Sequence, residues 1–208
     1  VSGTSISFGS AVVFVSYGIV DAAITFGSNE NKVVICYPGS SSYGNAVIGT
    51  VSGTSISFGS PVVFESAQST YIAATFDSSN NKVVLAYKDG GDSDKGKAIV
   101  GTVSGTSISF GSANGFENDG TYYIAIAFDS SNNKVLIVYK DGSQHGNAIV
   151  GTVSGTSISF GSNNKWQSAQ TNDPNVVFDS SNNRFLVTYV DAGNSDKGAA
   201  RVATISST

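Results

Sequence analysis

The chain has 208 residues, of which 40% are hydrophobic and only 12% charged, with a net charge of -4. A core is within reach, solubility must come from Ser, Thr, Asn and Gly, and the lack of any basic run argues against nucleic acid, whose phosphates call for Lys and Arg. No apolar run approaches the roughly 20 residues of a membrane helix, the single Cys36 cannot form an internal disulfide, and no Asn-x-Ser/Thr sequon occurs. The chain opens on Val rather than Met, which leaves room for a leader or a preceding domain.

The first ten residues, VSGTSISFGS, recur unchanged at Val51, Val103 and Val153, so the repeats start 50, 52 and 50 residues apart. A period near fifty fits one four-stranded propeller blade, and the four repeats make 1–208 a single domain. In chain order, the first predicted element is a lone outer strand d at 4–9, where Ile6 and Phe8 alternate with serines. Inner strands a follow, rich in small residues such as Ala22, Ala23, Ala73, Ala74, Ala125 and Ala127, as suits crowding around an axis. Strands b read VVICY, VVLAY, VLIVY and FLVTY, apolar throughout and therefore expected to be buried on both faces.

The second repeat displays a whole unit. YIAATF (71–76), DSSNN and KVVLAY (82–87) form a hairpin. After a polar loop comes KAIVGTV (97–103), then a tight Ser104–Gly105 turn into the next strand d. The last predicted strand, c at 198–205, has no strand d after it. The expectation is a four-bladed β-propeller with four antiparallel strands per blade, closed by pairing of 4–9 with the final blade. Glycine occupies the c–d turn at Gly53, Gly105 and Gly155, but Ser207 stands at the fourth position, where no turn is needed. Such a ring is expected to be a monomer, with a strand-swapped dimer as the alternative.

This pattern resembles repeat-type β-propellers along the whole chain, above all those of phage tail fibres, adhesins and lectins, whose repeats are likewise rich in Ser, Gly and Thr. It lacks the signatures of the WD40, kelch and sialidase families. DAA at 21–23 echoes an inner-strand motif of hemopexin-like domains, but the other repeats do not share it. The resemblance implies an extracellular or virion-associated recognition module that binds glycans or another cell-surface ligand.

Comparing the repeats with one another locates the expected site. The a–b and c–d turns barely vary, whereas the d–a and b–c connections differ in every copy, and in an antiparallel blade these two emerge on one face. The candidate ligand-binding residues there are Tyr17, Tyr43 and Tyr122 as aromatic platforms, with Gln68, Asn118, Gln144, Gln170 and Asn172 as hydrogen-bonding partners. Asp21 and Asp173 open the inner strands of the first and last repeats. Two readings stand for them: ligands for a hard cation such as Ca²⁺ at the axial mouth, or caps on their own turns. The long b–c loops of the second and fourth repeats share Ser-Asp-Lys-Gly.

Catalysis has little to draw on. With one His, His145, and three Glu, the acid–base groups are too sparse for an enzyme, and a glycosidase would have to rely on Asp21, Asp173 and Glu65. The non-enzymatic recognition module is therefore the expected function, ahead of a ligand-free symmetric scaffold and a propeller glycosidase.

Overall fold

The computed structural model describes residues 5–206. It is all-β: 15 antiparallel strands form one continuous, unclosed sheet, with two short 3-10 turns at Gly90–Asp92 and Ala192–Asn194. Unit 1 comprises β1 (Ala23–Gly27), β2 (Lys32–Pro38), β3 (Tyr43–Ser52) and β4 (Ser55–Phe58). Unit 2 comprises β5 (Val62–Asp77), β6 (Lys82–Asp89), β7 (Lys95–Ser104) and β8 (Ser107–Phe110). Unit 3 comprises β9 (Asn114–Asp129), β10 (Lys134–Asp141), β11 (His145–Ser154) and β12 (Ser157–Phe160). Unit 4 comprises β13 (Asn164–Asp179), β14 (Arg184–Asp191) and β15 (Lys197–Ala203).

The second strand of units 1 to 3 behaves as its composition demands, whereas β14 does not: Phe185, Val187 and Tyr189 are buried but Arg184, Leu186 and Thr188 are exposed, so FLVTY is covered on one face only. Residues 34–38 of β2, 83–87 of β6 and 135–139 of β10 are buried on both faces. Even-numbered side chains of unit 1 (Val34, Cys36, Ala46, Ile48) pack against odd-numbered ones of unit 2 (Leu85, Tyr87, Ile99). The same arrangement joins unit 2 to unit 3 and unit 3 to unit 4. The sheet is therefore folded back on itself, with an apolar layer between successive units. The inner strands line one open concavity of about 440 Å³, into which Phe26, Phe76, Phe128 and Phe178 all project.

Two expectations need correction. The d–a connections are not loops. β5, β9 and β13 each run 16 residues, and their first halves pair with the third strand of the preceding unit, as in Ala46↔Val62 and Tyr43↔Gln68. The third strands of units 1 to 3 thus share their outer edges between a four-residue SISF strand and the entering half of the next long strand. That shared edge makes one sheet of all the units. Polar side chains are tolerated there because alternate residues of an edge strand face solvent.

The expected closure of the ring is not made either. Among the described residues β15 pairs with β14 alone, residues 5–10 belong to no strand, and Ile6 and Phe8 are exposed; Thr4 lies outside the described residues. The cause is where the segment is held. At Gly9 a Cβ would collide with the Thr54 carbonyl, and the same approach recurs between Gly59 and Thr106 and between Gly111 and Thr156. The N-terminal segment therefore lies against the c–d turn of unit 1, as β4 lies against unit 2, at the opposite end of the sheet from β15.

The turns follow the predicted chemistry. Gly53, Gly105 and Gly155 have φ of 59°, 60° and 61°, the left-handed region that glycine enters without strain. In the a–b turns, Asp77 Oδ1 accepts from the backbone N–H groups of Ser79 and Asn80, and Asp129 and Asp179 do the same in their turns. These turns also bond to one another: the Ser79 hydroxyl donates to Asn133 and the Ser131 hydroxyl to Asn183. The near-identity of this end of the molecule thus has a structural role.

Gly59→Ala and Gly111→Ala should each cost about 1–3 kcal/mol, because the added methyl meets backbone that cannot step aside. At Gly115, where a Cβ meets only the Gly96 carbonyl at 3.9 Å, alanine should be neutral. Its counterparts in the neighbouring units, Val63 and Lys165, already carry side chains. Urea denaturation of the three variants checks the contrast.

Candidate functional site

Against the second strand of its own unit each long strand breaks register once, between Thr70 and Ala73, at Tyr122–Ala125 opposite Val138–Lys140, and between Asn172 and Asn175. The bulges hold Tyr71, Tyr123 and Asp173 at φ of 51°, 50° and 47°. A tyrosine in the left-handed region is strained, and such strain concentrates where a side chain must be aimed. A bulge re-aims its residue out of the alternation of the strand.

The re-aimed rings gather. Tyr71 stands 5.9 Å from Tyr122 and 5.2 Å from Tyr123, ring centre to ring centre, with interplanar angles of 78° and 55°. Lys88, near the end of β6, places its ammonium 5.0 Å from the centre of Tyr122. Lys140, in the same place on β10, lies 5.7 Å from Tyr122 and 4.9 Å from Tyr123. Its Nζ also donates to Asn172 Oδ1 at 3.1 Å, while Lys88 pairs with Asp94 at 3.1 Å. Burial and the neighbouring Tyr123 push the Tyr71 hydroxyl pKa up, with smaller contributions from Tyr122 and Asp173 and opposition from Lys88. The hydroxyl therefore stays protonated and able to donate. Three rings, two ammonium groups, an amide and a carboxylate thus share one patch.

The b–c and d–a connections do lie side by side at this end. Thr121 N donates to the Asp94 carbonyl and Thr171 N to that of Gln144, while Tyr43 faces Gln68 and His145 faces Gln170 in the strand register. Tyr43, Gln68, Asn118, Gln144 and Gln170 are exposed along this rim, and Tyr17 stands beside the Tyr37 hydroxyl. Of the expected set, Tyr122 and Asn172 belong to the aromatic patch. Gln68, Asn118, Tyr122, Gln170 and Asn172 lie in strands rather than loops, for the reason given above, and Tyr43 is the first residue of β3. Sequence reading missed Lys88 and Lys140 because each looks like an ordinary polar strand end. It missed the strain at Tyr71 and Tyr123 because an unpaired bulge residue has no composition of its own.

The carboxylates have specific partners. Asp21 accepts from Ile72 N at 2.9 Å and so caps the opening of the next unit's inner strand. Among the described residues, no group of three or more His, Cys, Asp or Glu side chains is placed to hold a metal ion. Glu65 accepts from the Tyr87 hydroxyl at 3.0 Å and Glu117 from that of Tyr139 at 2.9 Å. Burial first, then the adjacent carboxylate, drives both tyrosine pKa values up. These glutamates anchor core tyrosines. His145 opens β11, with Nδ1 3.0 Å from Lys165 Nζ and 3.4 Å from Asp141. Cys36 is buried in the core, and burial raises its thiol pKa far enough to leave it unreactive.

The two Ser-Asp-Lys-Gly loops share a backbone but not a charge pattern. Ser93, Asp94, Ser195 and Asp196 all adopt positive φ after their 3-10 turns. In unit 2, Lys97 bridges Asp89 at 2.7 Å and Asp92 at 3.1 Å, and Lys95 reaches Asp92 at 2.9 Å. In unit 4, Asn194 and Ala199 replace Asp92 and Lys97, so only a Lys197–Asn194 contact remains.

Hydrogen bonds from Lys95 and Lys97 hold the Asp92 carboxyl below its ordinary pKa. A depressed folded-state pKa contributes stability above the unfolded value and loses it as pH falls through the folded value. The unit 2 loop should therefore keep its ion pairs into mild acid and release them only below the usual aspartate range. Carboxyl NMR titration should place the Asp92 midpoint below that of a free aspartate, and Lys97→Ala should move it upward.

No protein-family model matches the chain, and no curated protein matches it. Among solved structures it is similar to the SapL1 lectin in complex with alpha methyl fucoside, with a TM-score of 0.55 at 16% identity. The match covers 88% of this chain and 63% of the lectin chain, so this chain spans less than two thirds of that protein. At this identity the likeness shows a shared all-β fold.

Proposed function

We propose that the chain is a non-enzymatic glycan-recognition module whose four units are blades of a propeller-type array. Its ligand would sit on the end that carries the b–c and d–a connections. The observation that carries this reading is the patch of Tyr71, Tyr122 and Tyr123 interleaved with Lys88 and Lys140. Sugar rings present apolar C–H faces that stack on aromatic rings, and hydroxyls that take hydrogen bonds from amines and amides and give them to carboxylates. The strained backbone at Tyr71 and Tyr123 fixes the rings before any ligand arrives, which lowers the ordering cost of binding.

Tyr17, Tyr43, Gln68, Asn118, Gln144 and Gln170 would extend contact along the rim to further residues of an oligosaccharide. A fold shared with a fucoside-bound lectin supports the sugar class and leaves the individual sugar open. Adhesion to glycans at a cell surface, from a secreted or virion-borne protein, is the setting such a module suits. Glu65 and Glu117, engaged by tyrosine hydroxyls, offer no catalytic pair, in keeping with a binder that leaves its ligand intact.

Screening the purified chain on a glycan array, followed by titration with the strongest hit, tests this reading. Tyr122→Ala and Lys140→Ala should weaken that sugar about 10- to 100-fold, the range expected for removing an anchor at the centre of an interface. Asn80→Ala, in an a–b turn at the opposite end, should leave affinity unchanged. Loss of binding in Asn80→Ala with none in Tyr122→Ala would move the site to the other end of the molecule.

A further inference from the structure

The three layers between units set a standard against which the two ends of the sheet can be judged. In the layer between units 3 and 4, Leu136 is 5% exposed, but its counterpart Leu186 on the outward face of unit 4 is 40% exposed. Beside Leu186, Val177 and Val202 are also open to solvent. At the other end, Ile126 of unit 3 is 9% exposed and its counterpart Ile24 of unit 1 is 67% exposed, with Phe26 uncovered next to it. On the unit 1 face Ile35, Tyr37 and Val47 are already covered by Phe14, Val15 and Ile19 of the same chain, so the open part is Ile24 and Phe26. The unit 4 face is of the kind that receives a following unit, and the unit 1 face is of the kind that packs on a preceding one.

The strand edges show the same complementarity. β3, β7 and β11 each pair with a SISF strand, whereas β15 pairs only with β14 among the described residues. The molecule holds one further SISF segment, Ser5–Phe8, which pairs with no strand. Its Ile6 and Phe8 are 79% and 85% exposed, while Ile108 and Ile158 at the equivalent place are each 3% exposed. Gly9 docks on Thr54 in the way that Gly59 docks on Thr106. The segment thus stands where the outer strand of a preceding unit would stand, with no third strand beside it.

We propose that this preceding unit is unit 4 of a second copy of the chain. Ser5–Phe8 of one copy pairs with the free edge of β15 in the other, and the Val177–Leu186–Val202 face of the second copy packs on Ile24 and Phe26 of the first. The contact repeats the strand addition found three times inside each molecule and covers Ile24 and Phe26, the apolar side chains that the N-terminal residues of the same chain leave open. It joins two different surfaces head to tail, so it propagates until it closes into a ring or grows into a fibre. It does not depend on the glycan reading, because the aromatic patch lies within units 2 to 4 of a single chain.

Light scattering on the 208-residue chain, of 21.3 kDa, should give a multiple of that mass. Two end-blocked variants test the polarity. Ile6→Asp/Phe8→Asp blocks the donor end and Leu186→Asp/Val202→Asp the acceptor end. All four side chains are exposed in the single molecule, so each variant should fold, with unchanged far-UV circular dichroism. Alone, each should run as a monomer. Mixed, they should form a complex of two chains, because one intact donor end meets one intact acceptor end. A wild-type chain that stays at 21.3 kDa, whether open or closed on itself, would overturn the proposal. So would end-blocked variants that still associate alone, or a mixture that remains monomeric.

Discussion

Everything in this molecule depends on the second strand of each unit being apolar on both faces. A sheet with two apolar faces cannot stand alone in water; it needs a covering layer on each side. Here that cover is another unit of the same kind. VVLAY and VLIVY become buried only because the preceding and following repeats present matching rows of Val, Ala, Ile and Leu. Repetition in the sequence is thus the means by which the core is completed, and each repeat is a partial solution that its neighbours finish.

From that constraint the division of labour between the two ends follows. Where units must stay in step, their turns bond to one another. In units 2 and 3 the Asp of the a–b turn fixes its own loop and Ser79 and Ser131 reach the next unit's Asn, while Glu30 of the unit 1 turn accepts from Asn81 of unit 2. Those residues can hardly vary without loosening the array. The other end is relieved of that duty, since the shared edge of the third strand already ties the units together there. Its side chains have been free to diverge into the tyrosines, lysines, aspartates and amides seen in units 2 to 4.

The legibility of the sequence tracks how local each feature is. Strand identity, order within a unit and the glycine turns were all readable, because alternation, apolar runs and Ser-Gly pairs act over a few residues. Phe64 and Phe116 pack edge-on or tilted against Tyr87 and Tyr139 in the core, as apolar residues among polar neighbours in sequence should. What was not legible depended on partners remote in sequence. The entering half of β5 reads as a polar loop (ESAQS) until Tyr43 and Gly44 are placed beside it. Lys88 and Lys140 acquire meaning only when Tyr122, on a different strand, is set between them. Ring closure was inferred from the likeness of the two ends of the sequence, but Ser5–Phe8 and β15 do not pair, because the docking of Gly9 on Thr54 is a contact between segments that no repeat pattern encodes.

The four copies of VSGTSISFGS carry one further consequence, for how the chain finds its structure. An SISF strand has no means of telling β3 from β7 or β11, since the residues it meets on each are nearly the same. Its choice is made by the tether: Ser-Gly leaves no slack, so the nearest third strand captures it before any other can compete. Contacts then form mainly between adjacent repeats, the sequence separation stays short for a β-protein, and assembly can spread from one unit to the next as a zipper does. The molecule avoids confusion among its identical parts through the shortness of its loops rather than through any difference in its strands.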